Sequence, residues 1–298
     1  METEHSGDLA GGNHAAIAEA FRATMGRHGH PLQHAIIRTL LDAGTTTRLH
    51  LLAWEFPVEV KGRGTRIDIV MSGPDKLLVV AECKRANPSH RDWCFAASPT
   101  LRNNDTNLNI VAEFMTRTVG KLYAQGMKFP MMQMPVADVG IELKGKEPGD
   151  ADPKSGTGIE DACSQVSQHL NGMVEFLSHG KHAHIAEQHC PGVILPVVFT
   201  TARMWWSDVD ISAASLATGM LESAGSVQQV PYVCFQYPIS PGIKHAATSR
   251  DALTSIRNAY AAYLRSIVFV NAAHAGDFFR TFDFRNMAMR TVEGNEFK

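Results

Sequence analysis

The run Arg66–Arg85, RIDIVMSGPDKLLVVAECKR, constrains this chain more than any other segment. Two stretches rich in Val, Ile and Leu, 66–71 and 77–84, flank a Ser-Gly-Pro-Asp-Lys turn, the pattern of an antiparallel hairpin. With the turn centred near Pro74 and Asp75, Asp68 faces residues close to 81 and 82 on the returning strand. Side chains alternate along a strand, so Glu82 and Lys84 share a face and Cys83 takes the other. Two carboxylates and an ammonium are thereby gathered at the polar end of two otherwise apolar strands. Such carboxylates suit a hard divalent cation bound through oxygen. A cation there acidifies a bound water and offsets charge on a phosphate. Asp68 and Glu82 are the expected ligands of Mg²⁺ or Mn²⁺, and Lys84 is placed to orient the water or hold a phosphate oxygen.

Upstream, Ile17, Phe21 and Met25 recur at steps of four, and Leu32, Ile36, Leu40 and Leu41 repeat a helical pattern. Helices are predicted over 14–25 and 31–43, the second closed by Gly44, with residues 1–12 as a mobile tail. The period then changes to that of a strand over 50–60, and Lys61-Gly62-Arg63-Gly64 turns into 66–71. Three strands joined by short turns form an antiparallel meander.

Beyond the meander, Leu108, Val111, Phe114, Met115 and Leu122 predict a helix over 108–124. The Met- and Pro-rich stretch 128–143 holds a short strand, and 144–158 is a loop. A stripe from Ile159 through Val166 and Leu170 to Leu177 predicts an amphipathic helix over 159–178. VILPVVFT (193–200) reads as a buried strand, although Pro196 argues against a central place. Strands are predicted over 203–209, 229–237 and 265–271, and helices over 249–263 and 274–280. The pattern describes an α/β chain with a mixed sheet flanked by helices. Residues 13–210 form the core, with an insertion at 86–157, and 211–298 form a C-terminal α/β extension packed on it.

Asp68 followed by Glu82-Cys83-Lys84, on a hairpin behind a helix and a strand, resembles the PD-(D/E)XK nuclease superfamily and its restriction-endonuclease-like fold. That family's core order of helix, three strands, helix and strand matches 31–43, 50–84, 159–178 and 193–200. The resemblance implies that Asp68 and Glu82 bind the metal while Lys84 assists the attacking water. The family's first helix often supplies a further Glu facing the metal; here that position holds Gln33, and Glu55 in the first strand is the candidate to replace it. A Gln on the helix after the motif strands is frequent in the family, and Gln165 fits it, with His169 one turn later. The long insertion at 86–157 is a second departure. The implied function is Mg²⁺-dependent hydrolysis of phosphodiester bonds in nucleic acid, DNA first, in restriction, repair or defence. The competing expectation is a catalytically inactive module of the same fold that binds nucleic acid or a protein partner, which Gln33 in place of Glu favours.

Charge narrows the partners. Lys plus Arg number 28 against 30 Asp plus Glu, for a formal charge of −2, so bulk charge does not coat nucleic acid. A local basic surface is needed, and Arg63, Arg66, Arg85 and Arg91 around the motif are the candidate phosphate contacts. No apolar run approaches a membrane span, the acidic N-terminus lacks a leader pattern, and 5 scattered cysteines form no C-x-x-C. A cytoplasmic protein with free thiols and no membrane partner is expected, acting as a homodimer or a subunit of a larger complex. Three other segments carry less. The His-rich run 179–190 matches no zinc spacing. The Gly140–Lys146 run ends in Glu147 where a phosphate loop needs Ser or Thr. Of Trp205 and Trp206, one faces outward on a strand, and edge packing is its expected role.

Overall fold

The computed structural model describes residues 9–25, 29–60, 62–74, 77–98, 109–118, 121–130, 134–143, 158–178, 193–223, 225–238 and 264–281. In chain order the elements begin with helices α1 (Leu9–Met25) and α2 (His30–Thr47) and strands β1 (His50–Val60), β2 (Arg63–Ser72) and β3 (Leu77–Lys84). Strands β4 (Asp92–Ala96), β5 (Asn109–Thr118), β6 (Lys121–Pro130), β7 (Val136–Ala137) and β8 (Val139–Leu143) follow. Helix α3 (Gly158–Ser178) leads to β9 (Val193–Thr200), β10 (Arg203–Ser207), β11 (Val227–Gln229), β12 (Tyr232–Pro238), β13 (Leu264–Asn271) and a short α4 (Ala275–Thr281).

The hairpin forms in the expected register. β2 and β3 pair antiparallel from Ser72 opposite Leu78 to Ile69 opposite Ala81, and β1 pairs antiparallel with β2. β9 lies parallel to β3, from Leu77 beside Val193 to Lys84 beside Thr200. The main sheet then continues through β13, β12 and β7, in the order β1-β2-β3-β9-β13-β12-β7. A second sheet of four strands runs β11-β10-β4-β8. The chain is therefore α/β with mixed sheets. β12 and β13, from the stretch read as an extension, hydrogen-bond into the same main sheet as β3.

Helices cover both faces. Ile36 and Leu40 of α2 and Phe278 and Phe279 of α4 pack on Ile69, Val79, Leu195 and Val268. On the other face, Leu170 and Met173 of α3 pack on Val58, Ile67 and Val80, while Ala162 and Val166 meet Trp93 and Phe269. The apolar stripe of α3 is thus the face it buries, and each fully buried Leu or Phe contributes roughly 1.5–3 kcal/mol. α3 approaches β1 very closely at Gly172, where a Cβ would lie 2.7 Å from Val58 Cγ2. That contact sets the height of α3 above the sheet, and with it the position of Gln165 and His169.

Several expectations are corrected. The 108–124 segment is not helical: β5 and β6 form an antiparallel hairpin with Thr118 opposite Lys121. Ile110, Val111, Thr116 and Thr118 are β-branched and suit a pleated strand better than a helix. Gly44 does not end α2, which runs to Thr47 and is capped by Arg48 at φ 57°, its N–H donating to Gly44 O. Gly44 is there for space, since a Cβ would lie 2.9 Å from Leu49 O where the chain turns back. α1 begins at Leu9, inside the expected tail, and leaves Ile17 and Phe21 exposed. Pro196 does sit in an inner strand. It lies where the second neighbour of β9 changes from β5, beside Ile194, to β13, beside Val197, so the missing N–H falls at a break in pairing. The loop at 144–157, the helix at 249–263 and the His-rich run at 179–190 lie outside the described residues. No described helix is long and apolar enough to cross a membrane.

Candidate functional site

The β2–β3 ladder stops at Ile69 and Ala81, one residue short of Asp68 and Glu82. Beyond that point side chains replace backbone pairing. Asp68 Oδ2 accepts the Cys83 backbone N–H at 2.7 Å, holding the two strands together across the gap. Gln33, buried on the first turn of α2, donates its Nε2 to Asp68 O at 2.6 Å. Gln33 is therefore an anchor of the Asp68 backbone. Cys83 serves through its amide; burial pushes its thiol well above the usual range, which leaves it a poor nucleophile.

Glu82 is 6% exposed and sits between a cation and a ring. Its Oε1 lies 3.1 Å from Lys84 Nζ, and its Oε2 lies 3.3 Å from His169 Nδ1. Lys84 Nζ also donates to Gln165 Oε1, so α3 fixes the ammonium from above. His169 Nε2 is 3.3 Å from the Thr65 hydroxyl. A neutral imidazole with its proton on Nδ1 serves both neighbours: Nε2 accepts from Thr65, and Nδ1–H faces Glu82. The Nδ1 and Oε2 atoms are nevertheless not aligned as a hydrogen bond, and both are buried without one.

The electrostatics follow from a buried carboxylate, Glu82, and a half-buried one, Asp68, near one ammonium. Burial, and then the Asp68 charge, push Glu82 up to about 7. Burial also raises Asp68, against the pull of the Cys83 N–H. Burial, and then the Lys84 charge, hold His169 down at about 4, so it is neutral at pH 7. Glu55 adds further negative charge to both carboxylates. It sits on β1 at φ 50°, a left-handed conformation that costs a non-glycine residue roughly 1–2 kcal/mol. The orphaned Oε2 of Glu82 and the excess of carboxylate over cation fit a hard divalent ion better than an empty polar pocket. Among the described residues no three His, Cys, Asp or Glu side chains form a ready-made cage. Asp68 and Glu82 would hold such an ion with water completing the shell, the usual habit of Mg²⁺.

The sequence-predicted residues thus separate into groups. Gln33 and Asp68 form one hydrogen-bonded group, tied to β3 through the Cys83 amide, Glu82, Lys84 and Gln165 form a second on the same strand end, and Glu55 acts on both carboxylates through its charge. Arg66 is drawn to Glu55, 3.4 Å away, and Arg63 is exposed at the start of β2. Arg85 and Arg91 line a cleft with Leu32 and Thr201. Trp205 is tied to Asp92 Oδ1 at 2.7 Å and Trp206 packs on the core; both stand on β10, an inner strand of the second sheet and not an edge. Sequence reasoning left His169 and Thr65 out of the site. The signal for His169 was its place one turn beyond Gln165; nothing local marks Thr65, which is 104 residues from it.

No family model, curated protein or solved structure matches the chain.

Proposed function

We propose that this chain is a divalent-metal-dependent nuclease of the PD-(D/E)XK type, with Mg²⁺ or Mn²⁺ at Asp68 and Glu82 and DNA as the first substrate to test. One observation carries the reading: Asp68 and Glu82 face each other where the hairpin ladder ends, with Lys84 one side-chain repeat further on the same face. The order α2, β1–β3, α3 and then β9 parallel to β3 is the order that superfamily's core requires, and supports a restriction-endonuclease-like arrangement. When bound, the metal would supply an acidified water and charge for the phosphate.

The protein's own groups have distinct tasks. Asp68, fixed by Cys83 N–H and Gln33, presents a preset oxygen. Glu82 carries a raised affinity for protons and therefore for a cation that replaces them. Lys84, held by Gln165 and Glu82, places an ammonium within reach of the same space, where it can orient water or meet a phosphate oxygen. His169 packs against Glu82 from the α3 side and limits where its carboxylate can turn.

The second reading, an inactive module that binds nucleic acid or a protein, is favoured by Gln33, whose amide is spent on the Asp68 carbonyl. Incubation of purified protein with plasmid and with single-stranded DNA and RNA, in Mg²⁺, Mn²⁺ or EDTA, decides between them. Metal-dependent cleavage lost in the Glu82→Gln variant supports the nuclease; retention of every substrate form intact supports the binding module.

A further inference from the structure

Trp54 lies on β1, the edge strand of the main sheet, and is 56% exposed. It belongs to the row of Trp54, Ile69 and Ala81 that crosses β1, β2 and β3. One residue further along these strands stand Glu55, Asp68 and Glu82. Paired strands are only about 4.8 Å apart, so the indole is a close neighbour of the carboxylate cluster.

The backbone of β1 aims that indole. Leu51 packs on the α2 side of the sheet, and regular alternation would put Ala53 there too and Trp54 under α3. The register instead shifts between Leu51 and Ala53. Ala53 then packs on the α3 side with Phe56 and Val58, and Trp54 turns toward α2. Bulges that re-aim a side chain are frequent beside active sites. On the α2 side the indole meets the His34 ring edge-on, with centroids 6.5 Å apart and planes at 62°. Arg38 stands one helical turn beyond His34 on the same flank. It is exposed and has no ion-pair partner among the described residues.

A flat π-face with a cation beside it suits a nucleic-acid base and its phosphate, because every base can stack and the backbone is anionic. A second copy of this chain, meeting the patch about a twofold axis, would bring two Arg38 side chains into one small area, like charge on like. We propose that Trp54 is the platform on which one unpaired base of the substrate strand stacks, next to the Asp68–Glu82–Lys84 cluster, with Arg38 holding an adjacent phosphate. The proposal rests on the nuclease reading for its substrate. A base inside a duplex is already covered on both faces, so the platform selects single strands and frayed ends over intact duplex. DNA and RNA strands offer it the same chemistry.

The test is fluorescence anisotropy of labelled oligonucleotides: single-stranded DNA, single-stranded RNA and duplex DNA. It is done in EDTA with the Glu82→Gln protein, so that neither cleavage nor repulsion from that carboxylate intervenes. Adding Trp54→Leu should weaken single-strand binding by about fivefold to a hundredfold, and duplex binding by less than about twofold. Trp54→Phe, which keeps a π-face, should recover most of the loss. Arg38→Gln should lower the salt slope of log K for single strands by about 0.7. Leu216→Ser, at a fully exposed apolar side chain between β10 and β11, should leave binding unchanged. Trp54-dependent binding of either DNA or RNA supports the platform. A Trp54→Leu variant that is folded by circular dichroism and binds single strands within about twofold of its parent overturns it. An equal loss on duplex and single strand, or a parent that binds no single strand, also overturns it. Sedimentation is run in parallel: a dimer dissociated by Trp54→Leu, with strand binding unchanged, gives the patch to a second copy and overturns the platform as well. Magnesium-dependent cleavage by the chain with Glu82 intact is scored separately. Cleavage without Trp54-dependent binding removes the platform and keeps the nuclease; Trp54-dependent binding without cleavage keeps the platform and removes the nuclease.

Discussion

Two polar clusters of this molecule use the same residue types to opposite ends. Where the two inner strands of the second sheet begin, Asp92 faces Arg203 at 2.5 Å and the Trp205 indole at 2.7 Å. One carboxylate there has two donors and remains partly open to water, and those donors hold it below the usual carboxylate range. At the end of the β2–β3 hairpin, Asp68 and Glu82 compete for Lys84 under α3, and burial drives both upward. The first cluster is balanced and serves the fold. The second keeps an unbalanced negative charge in a buried place, which costs stability unless a cation arrives. The contrast shows where to look for chemistry: residue types alone do not separate the clusters, whereas burial and charge balance do.

The largest effect that could break this contrast is on activity. Asp68→Asn, Glu82→Gln and Lys84→Ala are each expected to lower metal-dependent cleavage by about a hundredfold or more, whereas Asp92→Asn should leave it within about twofold. Calorimetric titration sharpens the comparison. The first two variants should bind Mg²⁺ more weakly, since an amide oxygen is a poorer ligand for a hard cation, while Lys84→Ala should bind it as well or better. Equal cleavage by all four variants would place no chemistry at the hairpin end.

Next comes stability against pH in the metal-free protein. Folded Glu82 keeps its proton to about pH 7, whereas the unfolded side chain loses it near 4.5. The folded state thus binds more protons in that window, and stability falls as pH rises through it. His169 acts in the other direction. It stays neutral in the fold down to about pH 4, while the unfolded imidazole takes its proton near 6.5, so stability falls as pH drops from 6.5. The two slopes oppose each other where the windows overlap. Glu82→Gln should therefore stabilise the metal-free chain above pH 7, by roughly 1–3 kcal/mol. It should also leave a stability that rises with pH between about 4 and 6.5. Urea denaturation at several pH values measures both, and a variant no more stable than its parent at pH 8 would remove the unbalanced charge.

Asp92→Asn should do the opposite and destabilise by about 1 kcal/mol at pH 7. Asp92 is held low in the fold, so its contribution is present above the unfolded carboxylate range and is lost as pH falls through the folded value. The penalty of the variant should accordingly shrink in acid. The smallest effect is at Glu55. Glycine there relieves the φ of 50° and should stabilise the metal-free fold by up to about 1 kcal/mol. Alanine, which keeps the strain, should not. A Glu55→Gly variant less stable than Glu55→Ala in the same denaturation series would show that the left-handed backbone is not under strain.

Much of this was readable in the chain, because it depends on near neighbours. Alternation along 66–84 and a short turn settle that Asp68 meets Glu82 and that Lys84 shares its face, since a hairpin's register follows from its turn. The period of 159–178 likewise settles which face of α3 is buried. Gln165 could be placed near Lys84 once that helix was set over the hairpin.

Other features were decided only by packing between distant segments. The β5–β6 hairpin reads equally as a short apolar helix until strand pairing selects the extended form. Gln33 takes up the Asp68 carbonyl only because α2 lies under β2. Thr65, His169 and Glu82 meet because Gly172 lets α3 sink onto Val58. The raised proton affinity of Glu82 depends on the same closure, since desolvation is a property of the space around a group. Sequence by itself determined which charged groups stand at the hairpin's end; the tertiary structure decided that Glu82 is buried and Asp68 partly so, and that shielding from water is what makes their excess negative charge energetically costly and open to a cation.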